Sequence, residues 1–132
     1  MPRVVLVDDD HGIRSVLRPA LERLGLDIVG EGADGFEAVD LVRELEPDVV
    51  LMDLQMPGMD GIEATREIKA FAPNVQVVFV TVYDHPHPTR SAQEVGAYAY
   101  LLKDSSFELV RDVVMRAANL KQELDVRDRR EA

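Results

Sequence analysis

The chain has 132 residues, with 15 Lys and Arg against 25 Asp and Glu for a formal charge of −10, and it contains no cysteine. That length buries roughly two-thirds of the unfolded surface, enough for one hydrophobic core and not for two. The acidic balance opposes direct binding to a nucleic-acid backbone, and the missing thiols exclude a disulfide framework, a thiolate metal site and a cysteine nucleophile.

No apolar stretch approaches the roughly 18 residues of a membrane span, and the amino terminus has no signal-peptide pattern. A cytoplasmic location with no membrane partner is expected. The one basic cluster, Arg127 with Arg129 and Arg130, alternates with Asp125, Asp128 and Glu131 and is read as a solvated terminus.

In chain order, the run VVLV reads as a buried strand ending in Asp8 and Asp9, and Ile13, Val16, Leu17, Ala20, Leu21 and Leu24 then recur at helical spacing. Gly25 closes that helix, and Pro19 inside it removes one backbone hydrogen bond, so a kink is expected there. A weaker strand follows near 26–30. A helix from about Gly35 turns Phe36, Val39, Val42 and Leu45 inward until Pro47 stops it. The third strand, near 48–53, leads to QMPGMDG, where Pro57 and Gly58 force a turn and Asp60 with Glu63 forms a capping pair for the next helix. The fourth strand runs near 75–81. Pro86 and Pro88 delay the fourth helix to about Thr89 and shorten it. A strand near 97–102 precedes a last helix that Ser105 and Glu108 would cap, with Val110, Val113, Val114, Ala117 and Leu120 facing inward. Five βα units result, giving an α/β domain over residues 1–121 and a charged tail or linker over 122–132.

Four apolar strands thus end in chemistry-bearing residues: Asp8 and Asp9, Asp53, Thr81, and Lys103. Parallel strands share one carboxyl edge, where ligands of open α/β sheets bind, so these residues should converge. Three carboxylates, a hydroxyl and an ammonium suit a hard divalent cation, Mg²⁺ or Mn²⁺, beside a phosphoryl group. Asp53 is placed as a nucleophile that could form an acyl phosphate, with Asp8 and Asp9 as metal ligands and Thr81 and Lys103 on the transferred oxygens. Each carboxylate taken singly could instead be a helix cap, but five suitable residues at four strand ends argue for a shared site.

Through VLVDDD at 5–10, MDLQMPGMDG at 52–61, Thr81 and YLLK at 100–103, the sequence resembles the receiver domain of bacterial two-component response regulators over essentially residues 3–121. The resemblance implies a flavodoxin-like parallel sheet in strand order 2-1-3-4-5 and phosphotransfer from a histidine kinase to Asp53. It implies direct Mg²⁺ ligation by Asp9, Asp53 and the Gln55 carbonyl, with Asp8 acting mainly through water. Lys103 would contact the phosphoryl oxygens, and Thr81 and Tyr100 would form the switch. A phosphorylation-dependent homodimer through the face of the fourth helix, fifth strand and fifth helix is an expected outcome. Asp104, where many receivers have proline after the lysine, resembles receivers joined to LuxR-type DNA-binding domains. Val82 and Tyr83 are bulkier than is common after the threonine and would narrow access to the site.

Other polar residues take simpler readings. Asp10 forms a DxD with Asp8 but is placed outside the direct metal shell. His11 is read as a first-turn helix residue, because a carboxylate site favours hard metals over those that prefer imidazole. His85 and His87 are read as parts of a Pro-braced loop, and Met52, Met56 and Met59 as packing. Two rival functions use the same residues: a haloacid-dehalogenase-type phosphatase with Asp8 as nucleophile and Asp10 as acid, and a receiver-like binding module that is never phosphorylated. The phosphatase would need an acidic pair at the end of the fourth strand, where VVFVT has none.

Overall fold

Each apolar run is a strand because β-branched residues pack well on a pleated surface buried on both sides. The computed structural model describes the backbone of residues 1–82 and 88–132 and the side chains of 1–82 and 90–132. The elements are β1 (Arg3–Val7), α1 (His11–Arg23), β2 (Asp27–Gly32), α2 (Gly35–Leu45), β3 (Val49–Met52), α3 (Gly61–Phe71), β4 (Gln76–Thr81), α4 (Pro88–Glu94), β5 (Ala99–Leu102) and α5 (Phe107–Glu131). The strands form one parallel sheet in the order β2-β1-β3-β4-β5, as the resemblance implied.

Alternation along the strands divides the core in two. Val5, Val7, Val50, Met52, Val77 and Phe79 face α2, α3 and Ala92 of α4. Val4, Leu6, Val49, Leu51, Val78 and Val80 face Leu21 of α1 and the Val110–Ala118 stripe of α5. Among the described residues, no helix is long and apolar enough to cross a membrane.

The local signals held at most boundaries. Asp60 caps α3 by accepting the Glu63 N–H at 2.9 Å, and Asp34 does the same for α2 through Glu37 at 2.8 Å. Gly25, with φ of 97°, follows α1, and the Leu26 N–H reaches back to the Leu21 carbonyl at 3.1 Å. Pro19 lies inside α1, which continues through it. The fourth helix is short, at seven residues. Met52, Met56 and Met59 are all buried packing residues.

Three expectations need correction. The cap of α5 is Ser106, whose Oγ accepts the Leu109 N–H at 3.1 Å; Ser105 instead sits in the preceding turn, its N–H bonded to the Leu102 carbonyl at 3.0 Å. Phe36 is 57% exposed, because Gly35 abuts Met59 and turns the stripe of Gly35, Ala38, Val39 and Val42 inward. Val16 is 61% exposed and borders a groove between α1 and α5. Residues 122–131 continue α5 as helix, tied down where Asn74 Nδ2 donates to Asp125 at 2.9 Å and Asp128 at 2.7 Å.

Candidate functional site

Register explains why distant carboxylates meet. Val7 pairs with Met52, so the next residues, Asp8 and Asp53, leave the sheet side by side, with the Asp53 N–H bonded to the Val7 carbonyl at 2.9 Å. Lys103 follows β5 and is locked in place by its N–H on the Thr81 carbonyl at 2.8 Å. Its Nζ lies 2.9 Å from Asp8 Oδ2 and 3.1 Å from Asp53 Oδ2. Both carboxylates are nearly buried, Asp8 at 4% and Asp53 at 5% exposure, whereas Asp9 is exposed at the rim. One oxygen from each of Asp8, Asp9 and Asp53 lies within 4.8 Å of the others.

The electrostatics follow from this crowding. Burial pushes the Asp53 carboxyl above its ordinary range; the Lys103 ammonium opposes that push, and the charge of Asp8 adds to it. Burial pulls the Lys103 ammonium down, but its hydrogen bonds to Asp8 and Asp53 outweigh it and leave the group above its ordinary value. Three carboxylates against one ammonium leave the cluster short of positive charge. Oxygen ligands with a charge deficit fit a hard divalent cation, which takes carboxylates, carbonyls and waters.

The remaining expected residues divide. The backbone N–H of Gln55 reaches Asp53 Oδ1 at 3.3 Å, placing this residue directly beside the carboxylate. Thr81 is fully buried at the end of β4, but its hydroxyl donates to the Val82 carbonyl at 3.2 Å rather than toward the carboxylates. Tyr100 is half-buried on β5, in register with Phe79 and packed against the α2–α3 side of the core. Asp10 caps α1 through the Ile13 N–H at 3.2 Å, and its own N–H donates to Asp8 Oδ1 at 2.8 Å. His11 is the exposed first residue of α1. Val82 is exposed beside the site; Tyr83, His85 and His87 lie outside the described residues.

Two neighbours escaped the sequence reading. Arg14 donates from Nε to the Asp8 carbonyl at 2.9 Å and from its fork to Glu31 at 3.1 Å. Arg18 holds the other oxygen of Glu31 at 2.7 Å. The available signal was a pair of cations at 14 and 18, beside the apolar stripe of Ile13, Leu17 and Leu21. An apolar groove of about 580 Å³ between α1 and α5 opens beside the carboxylates, bordered by Ile13, Leu17, Val82 and Phe107.

The family model of the response regulator receiver domain matches residues 4–115, and the chain belongs to that family. It is 38% identical over 124 residues to the response regulator protein VraR of Staphylococcus saprophyticus, covering 90% of this chain and 58% of VraR. It is 33% identical to sporulation initiation phosphotransferase F of Bacillus subtilis, covering 90% of this chain and 95% of that protein. The signal receiver domain of the putative response regulator NarL from Mycobacterium tuberculosis superposes with a TM-score of 0.84 at 34% identity, covering 89% of this chain and 96% of that one. The chain thus spans under two-thirds of VraR and about half of Pseudomonas aeruginosa GacA (51%), but nearly all of sporulation initiation phosphotransferase F. It is a signalling module of two-component systems rather than a classical enzyme.

Proposed function

We propose that this receiver takes a phosphoryl group onto Asp53 from a histidine kinase in a Mg²⁺-dependent step, in the cytoplasm, and passes the change to its α4–β5–α5 face. The observation that carries the reading is the Asp53 carboxylate at the end of β3, 3.1 Å from the Lys103 ammonium and clustered with Asp8 and Asp9. Asp9, Asp53 and the Gln55 carbonyl would hold Mg²⁺ or Mn²⁺ directly, with Asp8 acting through water. When bound, the cation supplies positive charge against the oxygens of the transferred group.

The protein's own groups do the rest. An Asp53 oxygen bonds to phosphorus as the P–N bond of the donor phosphohistidine breaks, its electron pair leaving with the imidazole. Lys103 moves its hydrogen bonds from the free carboxylate to the phosphoryl oxygens. The Thr81 hydroxyl exchanges the Val82 carbonyl for a phosphoryl oxygen, and the Tyr100 ring enters the space it leaves. A few kcal/mol of differential binding suffices for such a population shift. Homodimerisation through this face is the proposed consequence. The capping role of Asp10 disfavours the DxD phosphatase, which needs that carboxylate as a free acid.

Intact-mass spectrometry with acetyl phosphate and Mg²⁺ should show one added phosphoryl group in the wild type and none in Asp53→Asn. An equal adduct in the variant would refute the assignment. With a stable phosphoryl mimic, sedimentation should change, as should amide exchange across residues 82–110, and no change in either would remove the switch.

A further inference from the structure

The exposed Asp9 carboxylate has to be aimed by its backbone. The peptide between Asp8 and Asp9 is planar, so whatever holds the Asp8 carbonyl oxygen also fixes the Asp9 N–H and the direction in which Asp9 leaves the sheet. Two further bonds anchor the strand side: the backbone bond from the Asp8 N–H to the Gly32 carbonyl at 3.0 Å, and the Asp10 N–H donating to the Asp8 side chain at Oδ1, 2.8 Å away. The Asp8 carbonyl is held from the helix side, by Arg14 Nε at 2.9 Å.

Arg14 is itself held. Its second arm is 3.1 Å from Glu31 Oε1, and Glu31 Oε2 is 2.7 Å from Arg18, which in turn donates to the Ile28 carbonyl at 3.0 Å. A rigid guanidinium fork half-buried between two fixed acceptors loses little freedom on making each bond. The chain of contacts runs from β2 through Glu31 and Arg14 to the peptide that precedes Asp9.

We propose that Arg14, braced by Glu31, is a positioning residue for the cation site: it sets the orientation of Asp9 and thereby the affinity for Mg²⁺, without touching the cation or the phosphoryl group. This rests on the reading of the carboxylate cluster as a Mg²⁺ site. The sign of the effect separates positioning from simple electrostatics. Removing a cation next to a metal site should strengthen Mg²⁺ binding if charge alone matters. Removing a brace should weaken it.

The test is calorimetric titration of Mg²⁺ at fixed ionic strength into the wild type, Arg14→Ala, Arg14→Lys and Arg18→Ala, each first shown to be folded by circular dichroism. Arg18→Ala breaks the same Glu31 cluster but leaves the Asp8 carbonyl untouched. The Kd should rise about tenfold in Arg14→Ala, the lower end of the range for groups that support a ligand from behind. In Arg18→Ala it should rise by less than about twofold, as for a site that shares no partner with the ligand. Arg14→Lys, which keeps the charge but cannot span both acceptors, should fall between, and it carries the test should the alanine variant unfold. Phosphoryl uptake in Arg14→Ala should recover at saturating Mg²⁺, with only the half-saturating concentration raised. Unchanged or tighter Mg²⁺ binding in both Arg14 variants overturns the proposal, as does an equal loss in Arg18→Ala. A wild type that binds no Mg²⁺ overturns the underlying functional reading together with it, whereas normal wild-type binding and uptake with unaltered Arg14 variants overturns the positioning role alone.

Discussion

Gly61 opens α3 directly behind the candidate phosphoacceptor, and replacing it with alanine tests whether close backbone approach sets the position of Asp53. A Cβ at this position would stand 2.5 Å from the Asp53 carbonyl oxygen, 3.0 Å from a ring carbon of Phe79 and 3.1 Å from the Leu54 Cα. Neither side can yield cheaply. Phe79 is fully buried, and the Asp53 backbone is bonded to Val7 while the Gly61 N–H is bonded to the Leu54 carbonyl, both at 2.9 Å. Opening the tightest contact from 2.5 Å to even 3.0 Å moves backbone by half an ångström. Alanine gains at most about 1 kcal/mol of helix propensity over glycine. Overpacking a well-filled site costs about 1–3 kcal/mol, and the upper part of that range applies where backbone must move. The clash therefore wins, with a net loss of about 1–2 kcal/mol and a drop in Tm of about 4–7 °C for a domain of this size. Displacing the nucleophile should also slow phosphoryl uptake by about tenfold. Gly35→Ala is the control, since its Cβ would meet Met59 O at 2.5 Å, a comparable clash whose nearest atoms all belong to Met59 and none to Asp53. Melting by circular dichroism and uptake from acetyl phosphate by intact mass would be compared. Wild-type stability in Gly61→Ala, or an equal loss of uptake in Gly35→Ala, would refute the reasoning.

Asp9→Asn should weaken Mg²⁺ binding markedly and Asp10→Asn much less, because the Asp10 carboxylate caps α1; titration of each variant checks this, and equal losses would revive the DxD reading. Asn74→Ala removes two hydrogen bonds that hold Asp125 and Asp128, at about 1 kcal/mol each, and should speed amide exchange in residues 121–131 while leaving β1 and β3 protected. Glu31 is held below the ordinary carboxylate range chiefly by its hydrogen bond to Arg18, against burial and with help from Arg14. A depressed folded pKa contributes stability that is present above the unfolded value and lost as pH falls through the folded one. Wild type should therefore melt above Glu31→Gln at neutral pH, with the gap closing in the acidic range; a gap that persists there would count against the linkage.

Sequence alone determined the elements and the chemistry at their ends. Runs such as VVLM and VVFV can be strands buried on both faces and little else, and a turn residue or proline bounds most of them. Parallel strands then bring Asp8, Asp53 and Lys103 to one edge, which is why their convergence was legible in the sequence. Capping signals are local, and so Asp60 was found correctly; where two serines stand together, the choice of Ser106 over Ser105 depends on how the turn after Lys103 is pinned to β4. The exposure of Phe36 and Val16 was likewise out of reach, since helical spacing defines a stripe but the neighbouring backbone sets its rotation. Tertiary structure alone joined Arg14 to the Asp8 carbonyl, Asn74 to Asp125 and Asp128, and the Thr81 hydroxyl to its own chain. Such polar contacts leave no periodic trace in a sequence, whether they join neighbours like Thr81 and Val82 or residues as far apart as Asn74 and Asp128, because a single hydrogen bond needs only a donor and an acceptor brought together by a fold that apolar packing has already chosen.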